Sequence, residues 1–185
     1  MESTVAEPTR QKWIFDSAHS EIEFKVRHMM VSNVRGFFTQ FDGSIYTSND
    51  DFTTAEIDFV IYTGSVDTGN QDRDNHLKNA DFFNVEKYPE ISFQAVSIEK
   101  VDNDGSYELW GNLTITGITK KIKLDVEFGG ILKDPWGNEK AGFTITGKIN
   151  RSDFHLNWNT VLETGGMLVS DEVKINAEVQ LMRSM

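Results

Sequence analysis

The amino-acid sequence predicts an all-β protein, an eight-stranded antiparallel barrel that runs up and down around its axis. Apolar and polar residues alternate with a period of two through most of the 185 residues, whereas helical periodicity is scarce. One dry face and one wet face per strand is typical of antiparallel sheets. Most of the predicted strands are joined by short turns, and closure into a barrel removes the exposed edges that an open sheet would keep.

The eight predicted strands alternate with different regularity. In chain order they cover residues 20–28, 34–46, 53–62, 91–100, 106–116, 121–128, 139–150 and 173–181. The first and the last three alternate without a break. In the second, Phe37 and Phe41 are in one phase and Phe38 is out of it, and the fourth shifts phase between Ala95 and Val96. Such a shift indicates a β-bulge or a corner.

Two long connectors interrupt the succession of strands. The first follows the third strand, and its middle, residues 70–84, predicts one short helix because Asn70 can cap it and Leu77, Ala80 and Phe83 fall on one stripe. The second, residues 151–170, is rich in asparagine, glycine and aromatic residues. Loops of this length in a compact domain are usually functional or mobile.

The length predicts a single domain at residues 13–183 behind a flexible tail at residues 1–12. No apolar stretch approaches the roughly 20 residues of a membrane helix, and the first residues lack the pattern of a secretion signal. As written, the chain is expected in the cytoplasm; a trimmed mature form would be expected in the periplasm.

Charge and cysteine content exclude several functions. The formal net charge of −11 argues against nucleic acid or an anionic membrane as the main partner, because both would be repelled. We expect no nucleic-acid partner and no stable membrane anchor. The absence of cysteine excludes disulfides, thiolate nucleophiles and cysteine metal sites.

No motif predicts catalysis. The sequence has no G-x-S-x-G elbow, no G-x-G-x-x-G dinucleotide loop and no phosphate-binding loop. Asp72 and His76 have the i,i+4 spacing that can place both on one metal ion, but no second histidine follows at a ligand spacing. We therefore predict no catalytic residue, no metal site and no cofactor.

Three Arg/His pairs occur at strand ends or in the long connectors. They are Arg27 with His28, Arg73 with His76, and Arg151 with His155. Such pairs can hold the phosphate or carboxylate head group of a ligand. The alternative is that each arginine pairs with a nearby aspartate and closes a surface loop.

The apolar face is more aromatic than a filled eight-stranded barrel needs, and a barrel of this size either is just filled or holds one small ligand. An ordinary dense core is the alternative, and a two-sheet sandwich is the competing architecture. The residues expected to line a lumen are Phe24, Val26, Phe37, Phe41, Phe59, Phe93, Leu113, Ile115, Phe143, Ile145 and Trp158.

Several motifs, in their order and spacing, resemble the YceI-like family from about residue 13 to residue 181. They include FKVRH at residues 24–28, VRGFF at 34–38, DRDNHL at 72–77, YPEISF at 88–93, GNLTITGITK at 111–120 and RSDF at 151–154. The resemblance implies a bacterial, lipocalin-like barrel that binds a polyisoprenoid or another long-chain amphiphile. It also implies a homodimer and, in many members, export to the periplasm.

Three hypotheses for function follow. The first is a non-catalytic carrier or sequestering protein for a long-chain isoprenoid or fatty amphiphile, held by the lumen residues and by the cationic pairs at its head group. The second is an enzyme acting on a small amphiphile, with His28 or His76 as acid/base and Arg73 holding an anion. The third is a filled barrel that serves as a stress-related interaction module.

Overall fold

Within the residues that it describes, the computed structural model contains one antiparallel sheet and a single short α-helix, α1 (Gln71–Lys78). It describes residues 9–159 and 168–184. Its strands are β1 (Arg10–Phe15), β2 (Glu21–His28), β3 (Ser32–Phe38), β4 (Phe41–Ser48), β5 (Asp51–Tyr62), β6 (Val66–Asp67), β7 (Glu90–Lys100), β8 (Ser106–Ile115), β9 (Ile118–Lys133), β10 (Glu139–Asn150) and β11 (Val169–Arg183). Three 3₁₀ turns cover Ser17–His19, Thr63–Ser65 and Arg151–Phe154.

The sheet closes on itself because β11 pairs with β10 on one side and with both β1 and β2 on the other. β1 and β2 lie end to end along β11, and β3 and β4 lie end to end along β2 and β1. The ring therefore has eight positions. The two-residue strand β6 pairs beside the end of β3 and adds no further position. The predicted eight-stranded antiparallel barrel with one short helix is confirmed, and the two-sheet sandwich is wrong.

The strand pairing explains the irregular phases. The predicted strand at residues 34–46 is broken at Thr39 and Gln40, which reverses the phase between β3 and β4. In β7, Ala95 pairs with Gly111 and Ser97 with Trp110, so Val96 is one residue too many, and the predicted β-bulge is confirmed. The short strand β1 was missed, and it begins three residues before the predicted domain boundary at residue 13.

The helix has the predicted cap. Asn70 Oδ1 accepts a hydrogen bond from the backbone N–H of Arg73 at 3.0 Å. Leu77 and Phe83 pack against the core as the stripe predicts, whereas Ala80 is exposed because the helix ends at Lys78. At eight residues, α1 is too short to cross a membrane, and no other helix appears in the described ranges.

An aromatic floor, formed by Trp13, Phe52, Phe128 and Phe143, closes one end of the barrel. The ring centroids of Trp13 and Phe52 lie 5.2 Å apart, those of Phe52 and Phe143 4.9 Å apart, and those of Phe128 and Phe143 5.0 Å apart. Aromatic pairs at such distances are favourable beyond the area they bury. The opposite end, where β2 and β10 end and β11 begins, is the mouth.

Trp13 holds the floor to the rest of the barrel. Its side chain is fully buried, and its indole N–H donates to Thr47 Oγ1 at 3.0 Å. The Arg183 guanidinium lies over the indole, 4.6 Å from its centroid, and also donates to Asp50 at 2.7 Å and to Glu139. One arginine thus connects the end of β11 to the β4–β5 turn and to the start of β10.

We predict that Trp13→Ala lowers the free energy of unfolding by about 3–5 kcal/mol, because it leaves a cavity under Arg183. Urea denaturation measures this change. The matched control is Trp136→Ala, since Trp136 is 83% exposed, and it should stay within about 0.5 kcal/mol of the wild type. Equal losses for the two variants would contradict the role given to the floor.

Candidate ligand-binding lumen

The barrel encloses a lumen of two adjoining chambers. The outer chamber, of about 460 Å³, lies at the mouth, and the inner chamber, of about 180 Å³, lies between it and the floor. Ile22, Ile61, Leu113 and Ile175 line both, so the chambers meet at these four side chains. The outer chamber alone falls in the range of about 300–1,000 Å³ that small-molecule sites occupy.

Glycines opposite aromatic rings keep the lumen open. A Cβ at Gly36 would lie 2.2 Å from the Phe24 ring, and one at Gly111 would lie 2.3 Å from the Phe93 ring. The tip of each phenylalanine ring therefore occupies the space over a glycine of the neighbouring strand, which any larger residue at that position would take from it. The aromatic residues line a cavity here without filling it.

Among the described lining residues, the charged groups lie at the mouth. The inner chamber is lined by aliphatic and aromatic side chains, of which only Tyr107 carries a polar atom. The outer chamber adds charged residues at its rim, including Arg27, Asp72 and Arg73. A ligand that follows this gradient is apolar along its length and polar at one end.

Two segments meet over the mouth. The His76 ring packs edge-on against Trp158 with centroids 4.7 Å apart, and Phe82 lies 5.5 Å from the same indole. Phe154 and Leu156, which belong to the second connector, are buried. Residues 160–167 of that connector lie outside the described residues.

Most of the predicted lumen residues line the lumen. Phe24, Val26, Ile115 and Trp158 line the outer chamber, Phe59, Phe93, Phe143 and Ile145 line the inner chamber, and Leu113 lines both. Phe37 and Phe41 line neither chamber, and for these two the prediction is wrong. Phe38 pairs with the inward-facing Ile22 of β2, is buried and lines the outer chamber, so its neighbour Phe37 faces away. Phe41 packs beside the core against the Phe59 ring, 5.8 Å between centroids.

Five of the six predicted head-group residues lie at the mouth. Arg27, His28, Arg73, His76 and Arg151 line the outer chamber. His155 does not: it is exposed, adopts a φ of +58° after the Arg151–Phe154 turn, and its placement at the head group is wrong. The other five differ in how much of their hydrogen-bonding capacity is free for a ligand.

Local partners engage Arg73 and His76. Arg73 donates from Nε and Nη2 to the hydroxyl and the carbonyl oxygen of Thr68, both at 2.8 Å. His76 Nε2 lies 2.9 Å from Asp81 Oδ2, so in this pair the histidine, and not the arginine, contacts an aspartate. Within the described ranges, no side-chain hydrogen bond or ion pair engages Arg27 or His28, so these two are free to meet a head group.

Arg151 has a structural role. Its side chain is buried, and it donates to the carbonyl oxygens of Leu156, Trp158, Val169 and Ser170, the last at 2.8 Å. These contacts join the two described ends of the second connector. Burial lowers the pKa of the Arg151 guanidinium, and the nearby Asp171 carboxylate opposes that shift.

In the described part of the chain, no group of three or more histidine, aspartate or glutamate side chains is placed to hold a metal ion. His76, half of the Asp72/His76 pair, hydrogen-bonds to Asp81.

The chambers have further lining residues that the sequence pattern does not predict, among them Phe38, Phe52 and Phe82. Phe38 was predicted to face away from the lumen because the sequence has no clear signal for the strand break at residues 39–40. Phe52 precedes the predicted third strand, although β5 begins at Asp51 and Phe52 lines the inner chamber. Phe82 adjoins the predicted stripe but reaches the mouth only because the chain folds back after α1.

Fold and lumen together define a closed antiparallel barrel with an apolar interior and a polar, partly covered mouth. The chain belongs to the YceI-like family: the model of the YceI-like domain matches residues 13–181. A UPF0312 protein of Staphylococcus aureus strain N315 is 40% identical over 167 residues, which cover 90% of this chain and 94% of the relative.

Solved structures share the fold. The YceI protein of Campylobacter jejuni is 36% identical, with a TM-score of 0.72 and full coverage of both chains. Burkholderia cenocepacia BcnA is 21% identical, with a TM-score of 0.77 over 90% of this chain and 98% of the other. A polyisoprenoid-binding domain of Saccharophagus degradans is 15% identical, with a TM-score of 0.67 over 93% and 98%.

We predict that Arg151→Lys lowers the free energy of unfolding by about 3 kcal/mol or more, because one ammonium group cannot serve four carbonyl oxygens on two segments. Chemical denaturation measures it, and the control is the same substitution at the exposed Arg35. A variant of wild-type stability that no longer binds anionic amphiphiles would instead place Arg151 at the head group.

Proposed function

We propose that the protein binds a long-chain isoprenoid or fatty amphiphile in its lumen, as a non-catalytic carrier or sequestering protein. The observation that carries this proposal is the apolar inner chamber behind a mouth with charged residues. The name of the Saccharophagus degradans neighbour, a polyisoprenoid-binding domain, supports the same ligand class. The homodimer and the cellular location stay predictions from the family resemblance.

The apolar lumen attracts a tail, but apolarity alone does not make it selective. Burial of each methylene-sized group contributes about 0.8 kcal/mol relative to water. A bilayer offers the same tail an equally apolar environment. Selection among lipids therefore depends on the shape of the two chambers and on the head group.

The head group is best placed beside Arg27 and His28. Both lie at the end of β2 and line the outer chamber, and no described side chain neutralises them. One or two charge-assisted hydrogen bonds there would contribute roughly 1.5–3 kcal/mol each. Arg73 adds positive charge but donates to Thr68.

The enzyme hypothesis requires a polar cluster inside the lumen. The inner chamber offers only the Tyr107 hydroxyl, and both histidines of that hypothesis lie at the rim of the outer chamber. This arrangement favours binding over turnover. The filled-barrel hypothesis conflicts with an outer chamber of ligand size.

The junction of the chambers gives the sharpest test. We predict that Leu113→Trp blocks the inner chamber and lowers the affinity for a fluorescent long-chain isoprenoid roughly tenfold, the cost of about two methylene groups left unburied. A short-chain analogue that needs only the outer chamber should bind nearly as tightly as to the wild type. Fluorescence titration measures both ligands.

The matched control is Leu132→Trp, because Leu132 is 77% exposed. It should bind both ligands like the wild type. Urea denaturation of Leu113→Trp accounts for overpacking, expected to cost about 1–3 kcal/mol. Equal loss of the long and the short ligand in a folded Leu113→Trp variant would argue against binding along the lumen.

A further inference from the structure

The tip of the β2–β3 hairpin is apolar and exposed without a structural reason. Met29, Met30 and Val31 are 48%, 61% and 81% exposed. Met29 and Met30 have φ values of +53° and +60°, a conformation that asparagine or glycine adopts at lower cost. Neither the turn geometry nor packing accounts for two methionines here, so the tip is suited to a contact outside the protein.

A row of cations crosses the outer wall beside this tip. In the register of the sheet, Lys148 of β10 lies opposite Lys174 of β11, Lys174 opposite Lys25 of β2, and Lys25 opposite Arg35 of β3. Like charges directly opposite each other destabilise a sheet. Four in succession therefore favour a contact with something anionic. These four residues are called the cationic row below.

The cationic row is poorly neutralised. Among the described residues, Lys25 and Lys174 have no ion-pair partner, while Arg35 lies 3.7 Å from Glu23 and Lys148 lies 4.0 Å from Glu172. Exposed pairs at such distances contribute little. A groove of about 910 Å³ on this wall is lined by six lysines, which are Lys25, Lys148, Lys174 and positions 120, 121 and 123 of β9, and by four carboxylates, those of Glu23, Asp125, Asp153 and Glu172, so cations are in excess there.

Part of the negative charge lies far from the cationic row. The turns at the floor carry Asp50, Asp51, Asp102, Asp104 and Asp134. Backbone N–H groups of residues 104 and 106 lower the pKa of Asp102, so this turn stays charged in mildly acidic solution. The acidic residues of the α1 segment lie beyond β3 and β6, on the other side of the hairpin from the cationic row.

The barrel is long enough for these regions to act separately. The 16 residues of β9 extend about 50 Å, which at a tilt of 35–45° spans about 35–40 Å along the axis. The Debye length at physiological ionic strength is about 8 Å. A surface in contact with the hairpin therefore meets the cationic row, while the acidic floor is screened.

The dimensions of the hairpin match a bilayer interface. Lys25 lies three residues from the end of β2, about 10 Å from the apolar tip. Amphipathic elements enter the boundary between head groups and acyl chains by about 5–10 Å. A tip inserted to this depth would bring Arg27 to the level of the head groups and the cationic row to the membrane surface.

We propose that the hairpin tip and the cationic row form a reversible docking surface for anionic lipid bilayers. The docked hairpin lies beside the mouth, since the Met29 N–H donates to the Leu168 carbonyl oxygen and Arg27 lines the outer chamber. A tail can then pass between bilayer and lumen with little exposure to water. This docking goes beyond the proposed function and does not require an occupied lumen.

Co-sedimentation with vesicles tests the docking. The wild type should bind vesicles of phosphatidylserine and phosphatidylcholine in equal parts, bind phosphatidylcholine vesicles weakly, and lose binding in high salt. Lys25→Gln with Lys174→Gln should lower partitioning about 10–30-fold. Met29→Ser with Met30→Ser should lower it as well, because the tip no longer inserts.

The matched control lies at the floor, where Lys133→Gln with Trp136→Ser removes one exposed cation and one exposed apolar side chain. This control should bind like the wild type. Binding lost equally in the control, or retained in both hairpin and row variants, would overturn the proposal. Complete competition by double-stranded DNA would assign the row to nucleic acid and would also overturn it.

The absence of cysteine permits a direct test of insertion. An environment-sensitive dye on Met30→Cys should shift to shorter wavelength on anionic vesicles, and the same dye on Trp136→Cys should not. A shift at position 136 alone would show docking by the wrong end. Isoprenoid titration of the row variants without vesicles should match the wild type, which separates failure of docking from failure of the proposed function.

Discussion

Pairing between β1 and β11 closes the sheet, and the lumen depends on that closure. Trp13, Ile14 and Phe15 pair with Arg183, Met182 and Leu181, and the first of these pairs also places the Arg183 guanidinium over the Trp13 ring. If the sheet were open, its apolar face would be wetted and its edge strands would be free to pair with other chains. Closed, the same face surrounds two chambers.

Closure leaves the question of why the interior is not filled. The aromatic residues divide between two tasks: Trp13, Phe52, Phe128 and Phe143 pack against one another as a floor, whereas Phe24 and Phe93 occupy the space over glycines along the wall. Where an aromatic ring lies opposite another ring, the two pack together and form the floor. Where a ring lies opposite a glycine, it stays at the wall. The count of phenylalanines alone does not distinguish a lined cavity from a dense core.

The parts of the fold that depend on local pattern could be predicted from the sequence. Strand alternation, the bulge at Val96 and the cap at Asn70 are all local signals, and the structure contains each of them. Phe37 and Phe38 exchange faces because a two-residue break resets the phase, which only strand pairing reveals. Arg151 looked like a head-group ligand, but its carbonyl partners lie up to 19 residues away.

The net charge is likewise a property of the sequence that does not predict local structure. The value of −11 describes the whole molecule and argues against a stable anionic partner. The alignment of Lys25, Lys148 and Lys174 across three strands depends on the register of β10, β11 and β2, and it could not be predicted from the order of residues in the sequence. A local cationic surface on an acidic protein is consistent with contacts that form and release.

The central claim, that the lumen holds a long-chain amphiphile, is tested most directly by native mass spectrometry of the purified protein, followed by organic extraction. We expect a bound molecule that is released on denaturation and recovered in the extract as an apolar chain with a polar head group. A measured mass equal to that of the polypeptide alone, together with no binding of a fluorescent isoprenoid, would contradict it.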